Sequence, residues 1–252
     1  MQNHRGTIKT LAFVGGTHGN ELTGVYTIPW LLKQDWFQKS PLNLKTLIAN
    51  PEAVKAGRRY VDVDLNRCFS NELLNNSDES ALEYNLARDI NDYLGPKNSD
   101  LAADLIVDIH NSSANMGISL IVGMMDEFLF VLCHHLLNIS EDVRIYSMPE
   151  DPTNSPYLPT IAKRDICLEI GPQPHGSLIA ETLFQSQKMT EAIHDFCISW
   201  SDLPEENINQ ILIKPLPHFT QVKNLDYPRD SEDNPQAMIH PLVQSRDYNE
   251  FD

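Results

Sequence analysis

Residues 11–24 read LAFVGGTHGNELTG. An unbroken apolar run ends in Gly15-Gly16, and an apolar, helix-like segment begins after Glu21. Strand, turn, helix is the repeating unit of an α/β sheet. The turn delivers His18 and Glu21 three residues apart, and the two converge if the segment opens with a helical turn. Imidazole nitrogen and carboxylate oxygen are the ligands zinc accepts where thiolates are absent. Alone, H-x-x-E equally describes two polar residues on a surface turn. The glycine-rich turn at a strand end favours the ligand reading, because α/β sheets bind their ligands there.

Working outward, short apolar or β-branched runs at 8–14, 44–49, 105–109, 118–122, 144–146 and 166–170 predict buried strands. Helical spacing of apolar residues predicts helices over 79–94, 127–137 and 178–200. The alternation predicts an α/β sandwich with a mixed, largely parallel sheet. After residue 204 the texture becomes acidic and loop-like, ILIKPL at 211–216 reads as a strand, and 222–233 is highly charged and broken by Pro228. This shift predicts a catalytic domain over 1–204 and the start of a second, smaller domain over 205–252.

The 252 residues are 41% hydrophobic and carry a formal net charge of −16. That charge argues against nucleic-acid binding, which needs a basic footprint, yet a few arginines still suffice for a small anionic substrate. Residues 1–10 lack the apolar core of a signal peptide, and no apolar run is long enough to span a bilayer. Cys68, Cys133, Cys167 and Cys197 are scattered without a C-x-x-C pair. They read as reduced thiols of a cytoplasmic protein.

Three further segments carry chemistry. DLIVDIHNSSANMG (104–117) puts His110 at the C-terminal edge of a strand, with Asp108 on the same face as a partner for its ring. The plain alternative is a strand-end histidine satisfied by backbone. Joined to His18 and Glu21, however, His110 completes a His₂Glu set with one zinc position open. ICLEIGPQPHG (166–176) ends an apolar strand in Glu169, either a general base with a raised pKa or a buried hydrogen-bonded carboxylate. GRRYVDVDLNRCF (57–69) gathers Arg58, Arg59 and Arg67 with Asn66, to grip a carboxylate or polarise a carbonyl, with Asp62 and Asp64 orienting some of the arginines. Cys133-His134-His135 reads as ordinary helix, and His175 as a loop residue.

In order along the chain, GGTHGNELTG, NP-x-A-V…RY-x-D-x-DLNR, D-x-HN-S and EIGPQP-x-G, extended by YPRD and IHP, resemble the aspartoacylase family with its aminoacylase-3 branch. The resemblance implies a zinc-carboxypeptidase-like three-layer sandwich followed by a C-terminal β-rich domain. It implies one zinc per chain on His18, Glu21 and His110, with Glu169 as the catalytic carboxylate. Arg59 would polarise the scissile carbonyl, while Asn66 and Arg67 hold the substrate carboxylate. The implied reaction is hydrolysis of an N-acyl amino acid, N-acetyl-L-aspartate or a relative, to a carboxylate and a free amino acid. A carboxypeptidase-like peptidase and a non-catalytic binding homologue are the rival readings, and homo-oligomerisation stays open. Two departures stand out. Pro159 occupies the position where the family has an arginine for the aspartate side chain, with Lys163 and Arg164 as candidate substitutes. The family also continues beyond 248–251 with further strands and an active-site tyrosine, so the second domain is expected to be incomplete.

Overall fold

β1 (Thr10–Gly15) buries side chains on both faces, as a central parallel strand must. Leu11 and Phe13 enter one core, and Ala12 and Val14 the other. The computed structural model describes residues 6–148, 152–220, 222, 227–242 and 244–247. The remaining strands are β2 (Asn43–Ile48), β3 (Leu105–Asn111), β4 (Gly117–Val122), β5 (Val143–Ser147), β6 (Asp165–Gly171) and β7 (Phe219–Thr220). They form one sheet in the order β2-β1-β3-β6-β4-β5-β7. β4 runs antiparallel to β6, and the other pairings are parallel. The sheet is mixed and mostly parallel, as the sequence pattern predicts.

Helices cover both faces. They are α1 (Leu22–Leu31), α2 (Asp35–Gln38), α3 (Pro51–Ala56), α4 (Asn71–Asn75), α5 (Leu82–Leu94), α6 (Glu127–Ile139), α7 (Ala180–Ser199) and α8 (Glu205–Leu212). On one face α1, α6, α7 and α8 pack around Phe13, Val107, Leu120 and Leu168. On the other, α5 and two short 3-10 turns, Leu65–Arg67 and Leu158–Ile161, cover Val14 and Ile106. α1 lies tight against the sheet at a glycine pair. A Cβ on Gly24 would fall 2.5 Å from the Ile109 carbonyl oxygen, and one on Gly15 would fall 2.4 Å from that of Gly24. The helix start is thereby pinned over the ends of β1 and β3.

Two expectations change. The helix expected from 79 begins at Leu82, whose N–H is accepted by the Asp62 carboxylate at 2.9 Å, so residues 79–81 remain outside it. The strand expected at 211–216 is instead the end of α8 and the turn beyond it. Pro204 starts that helix, Glu205 and Glu206 suit its positive end, and Ile208, Ile211 and Leu212 share one helical face that packs into the core beside α6. Residues 248–251, on which the expectation of an incomplete domain turns, lie outside the described ones, as do parts of 222–233. No helix among the described residues is long and apolar enough to cross a membrane.

Candidate active site

The parallel strands β1, β3 and β6 end side by side, and their loops build the site. After Gly16, whose φ of +68° suits glycine, the chain makes a tight turn closed by the Glu21 N–H on the His18 carbonyl at 3.2 Å. His18 and Glu21 thus converge through a turn before α1 rather than through a helical first turn, since Glu21 is the residue that precedes the helix. β3 brings His110 to the same point.

Glu21 faces His18 Nδ1 at 2.7 Å and His110 Nδ1 at 2.8 Å, one carboxylate oxygen to each. The two Nδ1 atoms stand 3.2 Å apart, and all three side chains are buried. The far side of each ring is held by another carboxylate. His110 Nε2 meets Asp108 at 2.8 Å, and His18 Nε2 meets Asp64 at 3.2 Å. Asp108, fully buried, also accepts the Thr17 hydroxyl at 2.8 Å. A proton on each Nε2 satisfies these partners and leaves both Nδ1 lone pairs aimed inward. Two lone pairs and a carboxylate converging in a dry site repel unless a cation lies between them. Tetrahedral zinc bonds of about 2.1 Å separate ligand atoms by roughly 3.4 Å, against 2.7, 2.8 and 3.2 Å here. The donor set therefore fits zinc, and His18, Glu21 and His110 form the one metal-capable group found among the described residues.

The local field matches. Burial alone would raise the Glu21 pKa, but the His110 and His18 rings hold it well below the carboxylate range. Burial would lower that of His110, yet the Asp108 and Glu21 carboxylates hold it far above the ordinary imidazole value. An ionised Glu21 between two imidazoles is a donor set for a cation, whose binding would displace a proton from His110.

Glu169 sits beside His110 in the β3–β6 register. Burial pushes its carboxyl up, with His110 only partly opposing, so it binds a proton more readily than an exposed glutamate. An upward shift is the direction that suits a carboxyl for passing protons. Both residues open on a cleft of about 260 Å³ that also reaches Arg59, Asn66 and Arg67. Arg59 bonds Glu21 at 3.2 Å and Asp64 through two nitrogens at 3.2 and 3.1 Å. Arg67 stacks on Tyr157 at 4.9 Å, and Asn66 accepts the Leu158 N–H at 2.9 Å. Arg58 is exposed and does not line the cleft. Asp64 orients Arg59, as the loop reading expects, whereas Asp62 bonds the backbone of α5.

Pro159 lines the cleft, but neither Lys163 nor Arg164 substitutes for an arginine there. Lys163 pairs with Asp104 at 2.9 Å, and Arg164 with Asp126 at 2.5 Å. His134 packs near Phe130 and His135 near Phe196, as ordinary helix residues do, and His175 is an exposed loop residue. One supporting residue escapes sequence reasoning. Buried Glu83 accepts the N–H groups of Val61, Asp62 and Val63 at 2.7, 3.1 and 3.1 Å, and the Asn50 amide at 3.0 Å. It clamps the loop that carries Arg59 and Asp64. Only its place in the first turn of a helix was readable.

Residues 7–197 match the succinylglutamate desuccinylase/aspartoacylase catalytic domain. The chain is 36% identical to the aspartoacylase of Mus musculus over 247 residues, covering 96% of this chain and 78% of that protein. It is 34% identical to the N-acyl-aromatic-L-amino acid amidohydrolase (carboxylate-forming) of Homo sapiens, covering 97% and 77%. Among solved structures, murine aminoacylase 3 superposes with a TM-score of 0.86 at 30% identity, covering 97% of this chain and 81% of that one.

Proposed function

Since the chain belongs to the succinylglutamate desuccinylase/aspartoacylase family, we propose that it is a zinc-dependent hydrolase of N-acyl amino acids, N-acetyl-L-aspartate or a relative, releasing a carboxylate and the free amino acid. The observation that carries the proposal is the buried meeting of His18, Glu21 and His110, each imidazole backed by a carboxylate, with Glu169 alongside. These three residues would hold one zinc ion per chain. When bound, zinc supplies Lewis acidity, polarising the amide carbonyl and making water acidic near neutral pH.

The chain's own groups do the rest. Glu169 takes a proton from the attacking water and delivers it to the leaving nitrogen. Arg59, at the edge of the cleft, turns to the carbonyl oxygen and shares its growing negative charge, a contribution of about 3 kcal/mol for one well-aimed donor. Arg67, aligned by Tyr157, grips the substrate carboxylate with Asn66 beside it. In the same proposal residues 1–204 form the catalytic unit, and 205–252 open a C-terminal part whose α8 docks back on α6. The four free cysteines support a cytoplasmic setting.

The test is a deacylation assay on metal-depleted and zinc-reloaded protein, with N-acetyl derivatives of acidic, neutral and aromatic amino acids. Zinc-dependent release of free amino acid is expected, and His110→Ala protein should emerge from dialysis without metal. Turnover unaffected by metal removal would sink the reading.

A further inference from the structure

The cleft continues well beyond the reacting groups. Glu169, Cys167 and Asp165 alternate onto one face of β6, and all three line it. At about 3.3 Å per residue, Asp165 lies roughly 13 Å of strand away from Glu169. Ile121 of β4 stands opposite Cys167, and Met148 and Pro159 add apolar wall. At the far end the Asp165 carboxylate accepts the Gly123 N–H at 3.1 Å. A Cβ at residue 123 would come within 2.7 Å of it, so glycine makes room for this carboxylate.

No cation neutralises Asp165 by direct contact among the described residues. Arg164, next in sequence, is turned to Asp126, and the Lys97 ammonium, whose field reaches Asp165, is bound by the Phe69 and Ser155 carbonyls and the Thr160 hydroxyl. Burial pushes the Asp165 carboxyl up to about 6, which leaves a strong acceptor in a poorly solvated place. The basic residues lining the cleft, Arg59 and Arg67, both belong to its reactive end. The carboxylate grip and the pocket wall are continuous, because Asn66 holds the Leu158 backbone and Arg67 stacks on Tyr157. Arg67 and Asp165 thus line the same cleft, with the apolar wall of Ile121, Met148 and Pro159 also facing it.

We propose that Asp165 selects the amino acid released, favouring a long, chiefly apolar side chain that ends in a hydrogen-bond donor and rejecting acidic ones. The inference rests on the N-acyl amino acid reading above and deepens it. An acidic side chain would bring a second carboxylate toward Asp165, whereas a phenol donates to it.

The experiment compares N-acetyltyrosine with N-acetylphenylalanine, which differ by one hydroxyl, and adds N-acetylaspartate. The zinc-loaded wild type should favour the tyrosine compound in kcat/KM by about tenfold, the worth of one hydrogen bond to a charged group, with N-acetylaspartate poorest. Asp165→Ala should bring the tyrosine-to-phenylalanine ratio near one, and the isosteric Asp165→Asn, which preserves packing, should lower it. Calorimetric binding of the two aromatic compounds to Glu169→Gln protein reads the same pocket without turnover. Binding that favours tyrosine in an Asp165-dependent way, but without hydrolysis by the wild type, would overturn the hydrolase reading and leave the pocket assignment standing. Equal preference in the wild type, a ratio unchanged in Asp165→Ala, or no binding of either compound would overturn the assignment.

Discussion

At His110 two carboxylates act on one imidazole from opposite sides: Glu21 at Nδ1 and Asp108 at Nε2. Asp108 orients the ring and fixes which nitrogen faces the proposed metal position, so its loss should weaken metal binding without emptying the site. Asp108→Asn is expected to lower zinc affinity by about 10–100-fold in a chelator competition, because an amide cannot match the carboxylate as partner to both Thr17 and His110. Glu169→Gln keeps size and position but removes the proton carrier of the proposed reaction. Its zinc content should equal that of the wild type while kcat falls by about 10²–10⁴-fold, the usual worth of general acid–base help. A near wild-type rate would strip Glu169 of its assigned role. The apolar runs before His110 and Glu169 made both strand ends legible. Asp64 was harder to read, because its contact with His18 spans 46 residues and leaves no trace in local spacing.

Among the elements, the junction of α5 with the 57–64 loop bears most directly on the site. Apolar spacing made α5 visible, but Glu83 looks like any first-turn acid, and its partners lie 20–22 residues upstream. Glu83→Gln retains the shape and loses the charge that strengthens these hydrogen bonds, a loss on the order of 2–3 kcal/mol. Denaturant melts should register it, and kcat/KM should fall too as Arg59 loses its anchored loop. Burial would raise the Glu83 pKa, but the backbone N–H groups and Asn50 bring it below its ordinary 4.5. A carboxylate depressed on folding contributes stability that is present above its unfolded pKa and lost as pH falls through the folded one. The stability gap between wild type and Glu83→Gln should therefore hold at neutral pH and close below about pH 4.5. A gap independent of pH would show that packing, not charge, is what Glu83 contributes.

Across the whole molecule the sheet separates two jobs. One face and its helices hold the larger core, while the other carries His110, Cys167 and Glu169 into the cleft, with Asp108 buried behind His110. Phe128, buried on α6 against Phe196 and Trp200, belongs to the face away from the site. Phe128→Ala should cost about 3–5 kcal/mol in unfolding free energy, yet leave kcat/KM per folded molecule within about twofold. A large loss of kcat/KM in fully folded variant would show that the two faces are coupled. The sequence by itself determined the strands β1 to β6, the mixed α/β class and the candidates His18, Glu21, His110 and Glu169, since apolar periodicity and strand-end position are local properties of a chain. It misread 211–216 as a strand, because a short apolar run bears no unique period and α8 is defined by its packing on α6. Only the tertiary structure decided that Asp64 backs the His18 imidazole, that Glu83 clamps the arginine loop, and that Lys163 and Arg164 turn away from the cleft. Those contacts join residues distant in sequence, and their geometry exists only once the sheet order has set β1, β3 and β6 side by side.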